Sequence, residues 1–436
     1  MRLLHLHAGA GRSPRPFAVV PALLAVVGLL GWQLAVAAPA QASAGDLDPG
    51  FGRGGRVVTD FARGAEEAFA VAVQADGKLV AAGRTGEGGG SALGDWALAR
   101  YRTDGKLDHG FGKSGKVKLD FSGAGGDDQV NALAVQADGR LLAAGFAPNG
   151  WALARFRTDG TLDPSFGVGG KVASPFSGQI RALALTPDGQ IVAAGFIGSD
   201  FALARYNADG TLDAAFGTGG VVTTGFGDLF AEAHAVAIQA DGKIVAAGHT
   251  GTVAFALARY NPDGTLDPAF GTGGVVTTPF AGMFVEANGL VVRSDGRLVA
   301  AGGVLRNDLT SAFVLAGYLA DGTLDPAFGQ GGTLTTDVAG SGSASSLALQ
   351  ADGKLVAAGS ADPGNGSGLD FALARYLPDG TLDLAFGTGG KLTTDFAGND
   401  RARALAVQAD GKLVAVGTLN VTFSGQDFAL ARYLAG

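Results

Sequence analysis

A six-residue phrase, Leu-Asp-x-x-Phe-Gly, occurs seven times in this chain of 436 residues, starting at Leu47, Leu107, Leu162, Leu212, Leu266, Leu324 and Leu382. Its aspartates (Asp48, Asp108, Asp163, Asp213, Asp267, Asp325 and Asp383) recur every 50 to 60 residues. This period constrains the fold more than any local propensity, because a repeated unit has to bury its apolar face against its neighbours. Length alone would suggest two or three domains of about 150 residues each. Units stacked in an array or ring form one body instead.

Each unit contains four strand-like pieces. In the fourth, Ala233 to Gln239 is followed by Ala240-Asp241-Gly242, Lys243 to His249, a short variable loop, Phe255 to Tyr260, a second Asp-Gly, the LDPAFG phrase and Val275 to Thr278. Asp-Gly between two apolar runs is a hairpin signal, because Gly accepts the positive φ of a tight turn. The 74 glycines, against 15 prolines and no Gly-X-Y period, fit many such turns. In LDPAFG, Asp suits an N-cap, Pro the first helical position and Gly a left-handed end, so one turn of helix is expected there. Four strands per 50 to 60 residues, seven times over, is the arithmetic of an all-β, seven-bladed β-propeller of four-stranded antiparallel blades.

The runs LDxxFGxGGxVxT, AxAVQADGKLVAAG and FALARYxxDGT resemble the delta-60 repeat family of bacterial exported proteins over residues 46 to 436. The resemblance implies a β-propeller and export from the cytoplasm, and brings no assigned chemistry. Repeat five departs most, with Arg293-Ser294 for the usual Gln-Ala and Gly317 for the Arg of ARY.

Residue size orders the strands. The AxAVQ pieces are rich in Ala and suit the crowded axis as strand a. The VVTT pieces carry Arg56, Lys116, Lys118, Lys171 and Lys391 and twice end in Pro (Pro175, Pro279), as exposed edge strands do. They are strand d, the outermost. The first repeat has a d strand with nothing before it, and Phe428 to Tyr433 is a c strand with nothing after it. The N-terminal outer strand, within 47–61, is therefore expected to complete blade 7, whose inner strands span 403–433. Blades 1 to 6 are placed at 69–121, 131–176, 181–226, 234–280, 288–338 and 345–396, in a single propeller over 45–436.

Residues 1–44 read as a signal peptide. Arg2, Arg12 and Arg15 precede an apolar run from Phe17 to Ala37, and Ala42-Ser43-Ala44 offers the small residues of a cleavage site, after Ala44 or alternatively Ala42. An uncleaved anchor is the competing reading, because the run approaches spanning length. An exported destination follows: periplasm, cell surface or medium, with no membrane association after cleavage. The formal charge of −8 becomes −11 without the three N-terminal arginines, and an acidic body repels phosphate backbones, so no nucleic-acid partner is expected. The absence of cysteine excludes disulfides, thiolate metal sites and a cysteine nucleophile. The chain is expected to act as a monomer without a cofactor.

Function is sought where the repeats differ. The a-to-b and c-to-d connections barely vary, whereas the d-to-a and b-to-c connections do, as in Arg84 to Asp95, Phe146 to Gly150, Val304 to Ser311 and Ser360 to Asp370. Insertions on one face of a repeat protein mark its binding face. Residues that recur from repeat to repeat, the seven LD aspartates and the six ARY or ARF arginines (Arg100, Arg155, Arg205, Arg259, Arg375 and Arg432), read as scaffold joined in Arg-carboxylate pairs. The residues opening strand a are the candidates at the channel mouth: Phe69, Asn131, Arg181, His234, Asn288, Ser345 and Arg403. Tight-hairpin register puts His234 opposite His249, with Glu232 nearby, a combination able to take zinc or nickel. Two solvated histidines are the plainer explanation. Gly110 to Lys116 (GFGKSGK) imitates a phosphate loop, but Val117 stands where Ser or Thr is needed. No catalytic residue is assigned. The leading expectation is a non-catalytic propeller that binds a protein or glycan through the variable face; the alternative is an extracytoplasmic hydrolase or lyase with its site at the same mouth.

Overall fold

The computed structural model describes residues 43–436, apart from 62–63, 87–93, 122, 124–125, 228–229, 252–253, 367 and 422–424. The expected signal segment, except for Ser43 and Ala44, lies outside the described residues. Among these, 28 strands form seven four-stranded antiparallel sheets, and no helix occurs. Six blades follow chain order. In blade 4, strands a to d are Ala231–Ile238, Ile244–Thr250, Ala254–Tyr260 and Val275–Pro279. Blade 7 joins both ends of the ring: Asn399–Val407, Leu413–Val421 and Gly425–Tyr433 supply a, b and c, and the N-terminal Arg56–Thr59 supplies d. Arg56 lies opposite Ala431 and Thr59 opposite Phe428.

The a strands pack side by side around the axis, and that of blade 7 packs on that of blade 1, so the ring is closed. The core lies between blades. One interface buries Val192, Leu203 and Phe216 of blade 3 against Ala233, Ile244 and Tyr260 of blade 4. Tyrosines at the ends of the third strands cross the interface to a hydroxyl on the preceding blade's outer strand, as in Tyr260 Oη to Thr224 Oγ1 at 2.7 Å and Tyr433 Oη to Thr394 Oγ1 at 2.9 Å. Burying a phenol is costly unless its hydroxyl finds a partner, and threonine at the end of the outer strand supplies one.

The LDxxFG phrase forms a turn, not the expected turn of helix. Asp48 Oδ1 accepts the Gly50 N–H at 2.9 Å, as an N-cap does, and the Phe51 N–H returns to the Asp48 carbonyl. A single i to i+4 bond follows, from the Gly55 N–H to the Phe51 carbonyl. Gly54 and Gly55, at φ 60° and 85°, then turn the chain into the outer strand before a second bond can form.

The turn anchors the joint between blades. In blade 4, Arg259 Nε donates to Asp267 Oδ2 at 2.8 Å, its guanidinium lies 4.6 Å from the centroid of the Phe270 ring, and Nη1 reaches the Ala320 carbonyl of blade 5. Arg100, Arg155, Arg205, Arg375 and Arg432 repeat this reach to the next blade. Arg432 closes the circle, pairing with Asp48 and bonding the Thr103 carbonyl of blade 1. The FG glycines add a backbone bond to the next blade, such as Gly217 N–H to the Asp263 carbonyl; at the last junction Gly387 donates to the Ala44 carbonyl. Both departures of repeat five belong to this joint. Gly317 removes the arginine, and Arg293, from the neighbouring strand connection, lies 5.8 Å from the Phe328 ring and bonds the Pro378 carbonyl of blade 6. Arg293→Gln is expected to lower stability by roughly 0.5–1.5 kcal/mol, because it removes the charged donor to the solvent-exposed Pro378 carbonyl together with the stack on Phe328. Adding Gly317→Arg, which recreates the arrangement of the other blades once Phe328, 2.5 Å from the new Cβ, shifts aside, should recover part of that loss in urea unfolding. A double variant no more stable than Arg293→Gln would contradict the exchange of roles.

Candidate functional site

The channel mouth is built by a backbone irregularity that recurs in every blade. Between strands a and b the register shifts by one residue, at Ala233/Ala235 in blade 4 and at the matching place in the other six. The extra residues are Phe69, Asn131, Arg181, His234, Asn288, Ser345 and Arg403, so the candidates opening strand a are the seven bulge residues. Their cause lies across the ladder. Strand b places a glycine there (Gly83, Gly145, Gly195, Gly248, Gly302, Gly359 and Gly417), and a Cβ on any of them would sit 1.8 to 2.0 Å from a carbonyl oxygen of strand a. Only glycine permits so close an approach, and the bulge turns the extra side chain out of the alternation of the strand.

The bulge corrects the expected pairing of His234 with His249. Glu232 stands opposite His249, and His234 is the unpaired extra residue. The rings still meet edge to face, with centroids 5.3 Å apart. All seven bulge residues, with Gln129 and Glu286, line one cavity of about 280 Å³. Glu286, Gln129 and nearby Glu67 and Arg84 are not among the sequence candidates; the first three stand on strand a two places before a bulge residue, and Arg84 is the strand b partner of Glu67. A larger cavity, about 770 Å³, is a wedge between outer strands around Arg56, Lys391 and Leu392.

Charges at the mouth are interlinked. Arg84 Nη2 lies 2.9 Å from Glu67 Oε1, and Arg403 Nη2 is 4.0 Å from Glu67 Oε2, with its guanidinium 5.6 Å from the Phe69 centroid. Glu232 Oε2 receives Arg181 at 3.3 Å and the His234 Nε2 at 3.0 Å. Burial raises the Glu232 carboxyl, but the His234 hydrogen bond and the Arg181 charge together hold it below its usual range. His234 Nδ1 meets Asn288 Oδ1 at 2.7 Å, and Asn288 Nδ2 donates to Glu286 Oε1 at 3.2 Å and to the Ala344 carbonyl at 3.0 Å. Asn131 likewise donates to the Ile180 carbonyl at 2.7 Å, so both asparagines tie their blade to a backbone carbonyl of the next.

One nitrogen of His234, one of His249 and one Glu286 oxygen lie within 4.8 Å of each other. These three could hold a zinc ion, whose ligands at about 2.0–2.1 Å stand about 3.3–3.4 Å apart, after small rotations. Glu286, not Glu232, is the carboxylate sharing reach with both rings. Beyond the polar cavity the same face exposes Phe230, Met283 and Phe284, and both phenylalanine rings pack on His249 with centroids 5.7–5.8 Å away.

Seven segments match one family profile, described as a domain of unknown function (DUF5122) β-propeller: residues 74–111, 136–166, 186–216, 239–270, 293–328, 350–386 and 408–436. Together they cover more than half of the chain. The chain belongs to the DUF5122 β-propeller family. Each segment runs from an a-to-b hairpin to the LDxxFG turn, or to the end of the chain in blade 7, so the scaffold carries the family signature. No curated protein matches the chain. Solved structures with a similar fold include a protein of unknown function from Dyadobacter fermentans, with 14% identity and TM-score 0.47, covering 89% of this chain and 100% of that one. Polysaccharide lyase Uly1 has 13% identity and TM-score 0.46, covering 84% and 90%. The calcium-binding protein regucalcin from Agrobacterium tumefaciens has 14% identity and TM-score 0.40, covering 70% and 91%.

Burial, with the His234 charge adding, lowers the pKa of His249 from its usual 6.5. The stability that its neutral ring contributes is therefore full above pH 6.5 and lost as pH falls through the lowered folded value. The melting temperature of the wild type should drop more steeply between pH 7 and pH 5 than that of His249→Phe. Parallel pH profiles would contradict this placement of His249.

Proposed function

We propose that this chain is an exported, non-catalytic propeller of the delta-60 repeat type that binds a glycan at the channel mouth. The observation carrying this reading is the adjacency of a polar cavity to an exposed aromatic ledge. Sugars present hydroxyls that need both donors and acceptors, and C–H faces that pack on aromatic rings. The cavity offers Asn131, Arg181, His234 and Glu286 for the first, and Phe230 and Phe284 stand at its side for the second. A volume of about 280 Å³ lies at the small end of ligand pockets and suits one or two sugar units. Most charges at the mouth are already paired with each other, which favours recognition through many moderate hydrogen bonds over a single activated group.

Export rests on the N-terminal pattern of the sequence. Because the Ala44 carbonyl serves the last joint of the ring, cleavage after Ala42 is the site compatible with that bond. The second reading, a hydrolase or lyase, draws on the Glu232–His234 contact, in which a carboxylate orients an imidazole as it would a general base.

Binding of the full-length protein to an array of bacterial polysaccharide fragments separates the readings. Wild-type protein should retain at least one glycan class, and His234→Ala and Phe284→Ala should each weaken that binding about tenfold, equivalent to about 1.4 kcal/mol. Lys354→Ala, on the opposite face, should bind as wild type. Release of new reducing ends or unsaturated products from the bound glycan would overturn the non-catalytic reading, and a protein that retains no glycan would overturn the glycan itself.

A further inference from the structure

Away from the mouth, three junctions between blades gather carboxylates that the proposed binding does not use. Where blade 7 meets blade 1, Asp427 begins strand c, Asp60 follows strand d, and Glu66 begins the next strand a. Asp95, Asp120 and Asp128 take the same places between blades 1 and 2, and Asp370, Asp395 and Asp400 between blades 6 and 7. Within each set, one oxygen from every residue lies within 4.8 Å of the others.

The repeat supplies its own control. At the other four junctions these positions hold Gly150, Pro175 and Gly178; Asp200, Gly225 and Ala231; Ala254, Pro279 and Val285; and Ala312, Asp337 and Gly342. A junction thus has all three acids or at most one. Like charges facing one another across a ladder are unfavourable, so independent drift would break such sets apart. A bound cation gives the three positions a reason to change together. An independent observation points the same way: Asp400 is fully buried, and while its Oδ2 accepts the Phe396 N–H, its Oδ1 has no hydrogen-bond donor.

We propose that these three junctions bind divalent calcium, which fastens blade 7 to both of its neighbours. Carboxylate oxygens are hard ligands, and calcium–oxygen distances of about 2.3–2.6 Å let ligands on opposite sides stand about 4.6–5.2 Å apart, the scale of these sets. Magnesium, at about 2.0–2.1 Å, needs a tighter cage. The junction of blades 7 and 1 is the seam where the N-terminal strand completes the ring, so its ion would hold Asp60 and Glu66 from one end of the propeller to Asp427 from the other. Cations stand beside all three sets: Lys118 is 3.8 Å from Asp95, Lys116 Nζ bonds the Asp60 carbonyl, and Arg56 Nη1 bonds the Asp395 carbonyl at 2.6 Å.

The test is calcium titration of the chelator-treated full-length protein by calorimetry, together with thermal unfolding with and without about 1 mM calcium, a level matched to extracellular modules. Asp60, Asp120 and Asp395 are the exposed members of their sets, so Asn at those positions spares the core. About three ions should bind the wild type and raise its melting temperature. Asp60→Asn, Asp120→Asn and Asp395→Asn should each remove one ion, and the triple variant should lose the calcium-dependent shift while melting as the wild type does in chelator. Asp337→Asn, from an incomplete set, should leave the stoichiometry unchanged. No saturable uptake by the wild type, equal binding of magnesium, or a triple variant that binds calcium as the wild type does would overturn the proposal.

Discussion

A blade with apolar residues on both faces has to be covered on both sides, and the arginine at each junction makes that cover specific. Sheet-on-sheet packing alone leaves the angle between neighbours soft. In this ring a guanidinium is stacked on the Phe of its own FG turn, paired with the turn's aspartate and aimed at a carbonyl of the next blade. The partners are mostly buried, and removing one member of a buried pair costs several kcal/mol because the other is left uncompensated. Repeat five shows how strongly the contact is required: with Gly317 in place of the arginine, Arg293 enters from a different connection and reaches the same kind of target. The joint is kept while the residue that makes it changes position.

With the scaffold held by the turns on one face, the other face is free to differ. The bulges turn that freedom into a site. A glycine in strand b lets strand a crowd against it, the extra residue leaves the sheet alternation, and seven different side chains converge on the axis. The price of the device is small, because each bulge disturbs only one rung of a ladder whose other rungs are intact. His234 illustrates the result: as a bulge residue it reaches Glu232 of its own strand and Asn288 of the next blade together.

Much of this could be read in the sequence. Seven units, four strands each, the order of the strands and the closing role of the N-terminal segment all follow from the spacing of LDxxFG, the alanine-rich inner strands and the charged outer ones. The positions at the mouth were legible as well, because all but Phe69 are polar and they differ among repeats that otherwise agree. Three details were not. A turn of helix in DPAFG rested on capping preferences, and paired glycines such as Gly54 and Gly55 end the turn after one bond. The facing of His234 and His249 assumed an unbroken ladder, although the glycine ending each VAAG run was the mark of a bulge. Glu286 carries no mark in the sequence, because one position per blade suffices for an unbroken strand, whereas a bulge brings the residue two places earlier to the same cavity.

Arg56–Thr59 is an integral strand of blade 7, so the ring is expected to open only as a whole. Hydrogen–deuterium exchange read by mass spectrometry tests it most directly, with peptides covering residues 56–59 and 425–433. A shared slow rate, falling together as denaturant approaches the unfolding midpoint, is the predicted result. Rapid exchange of the N-terminal strand while residues 425–433 stay protected would contradict it.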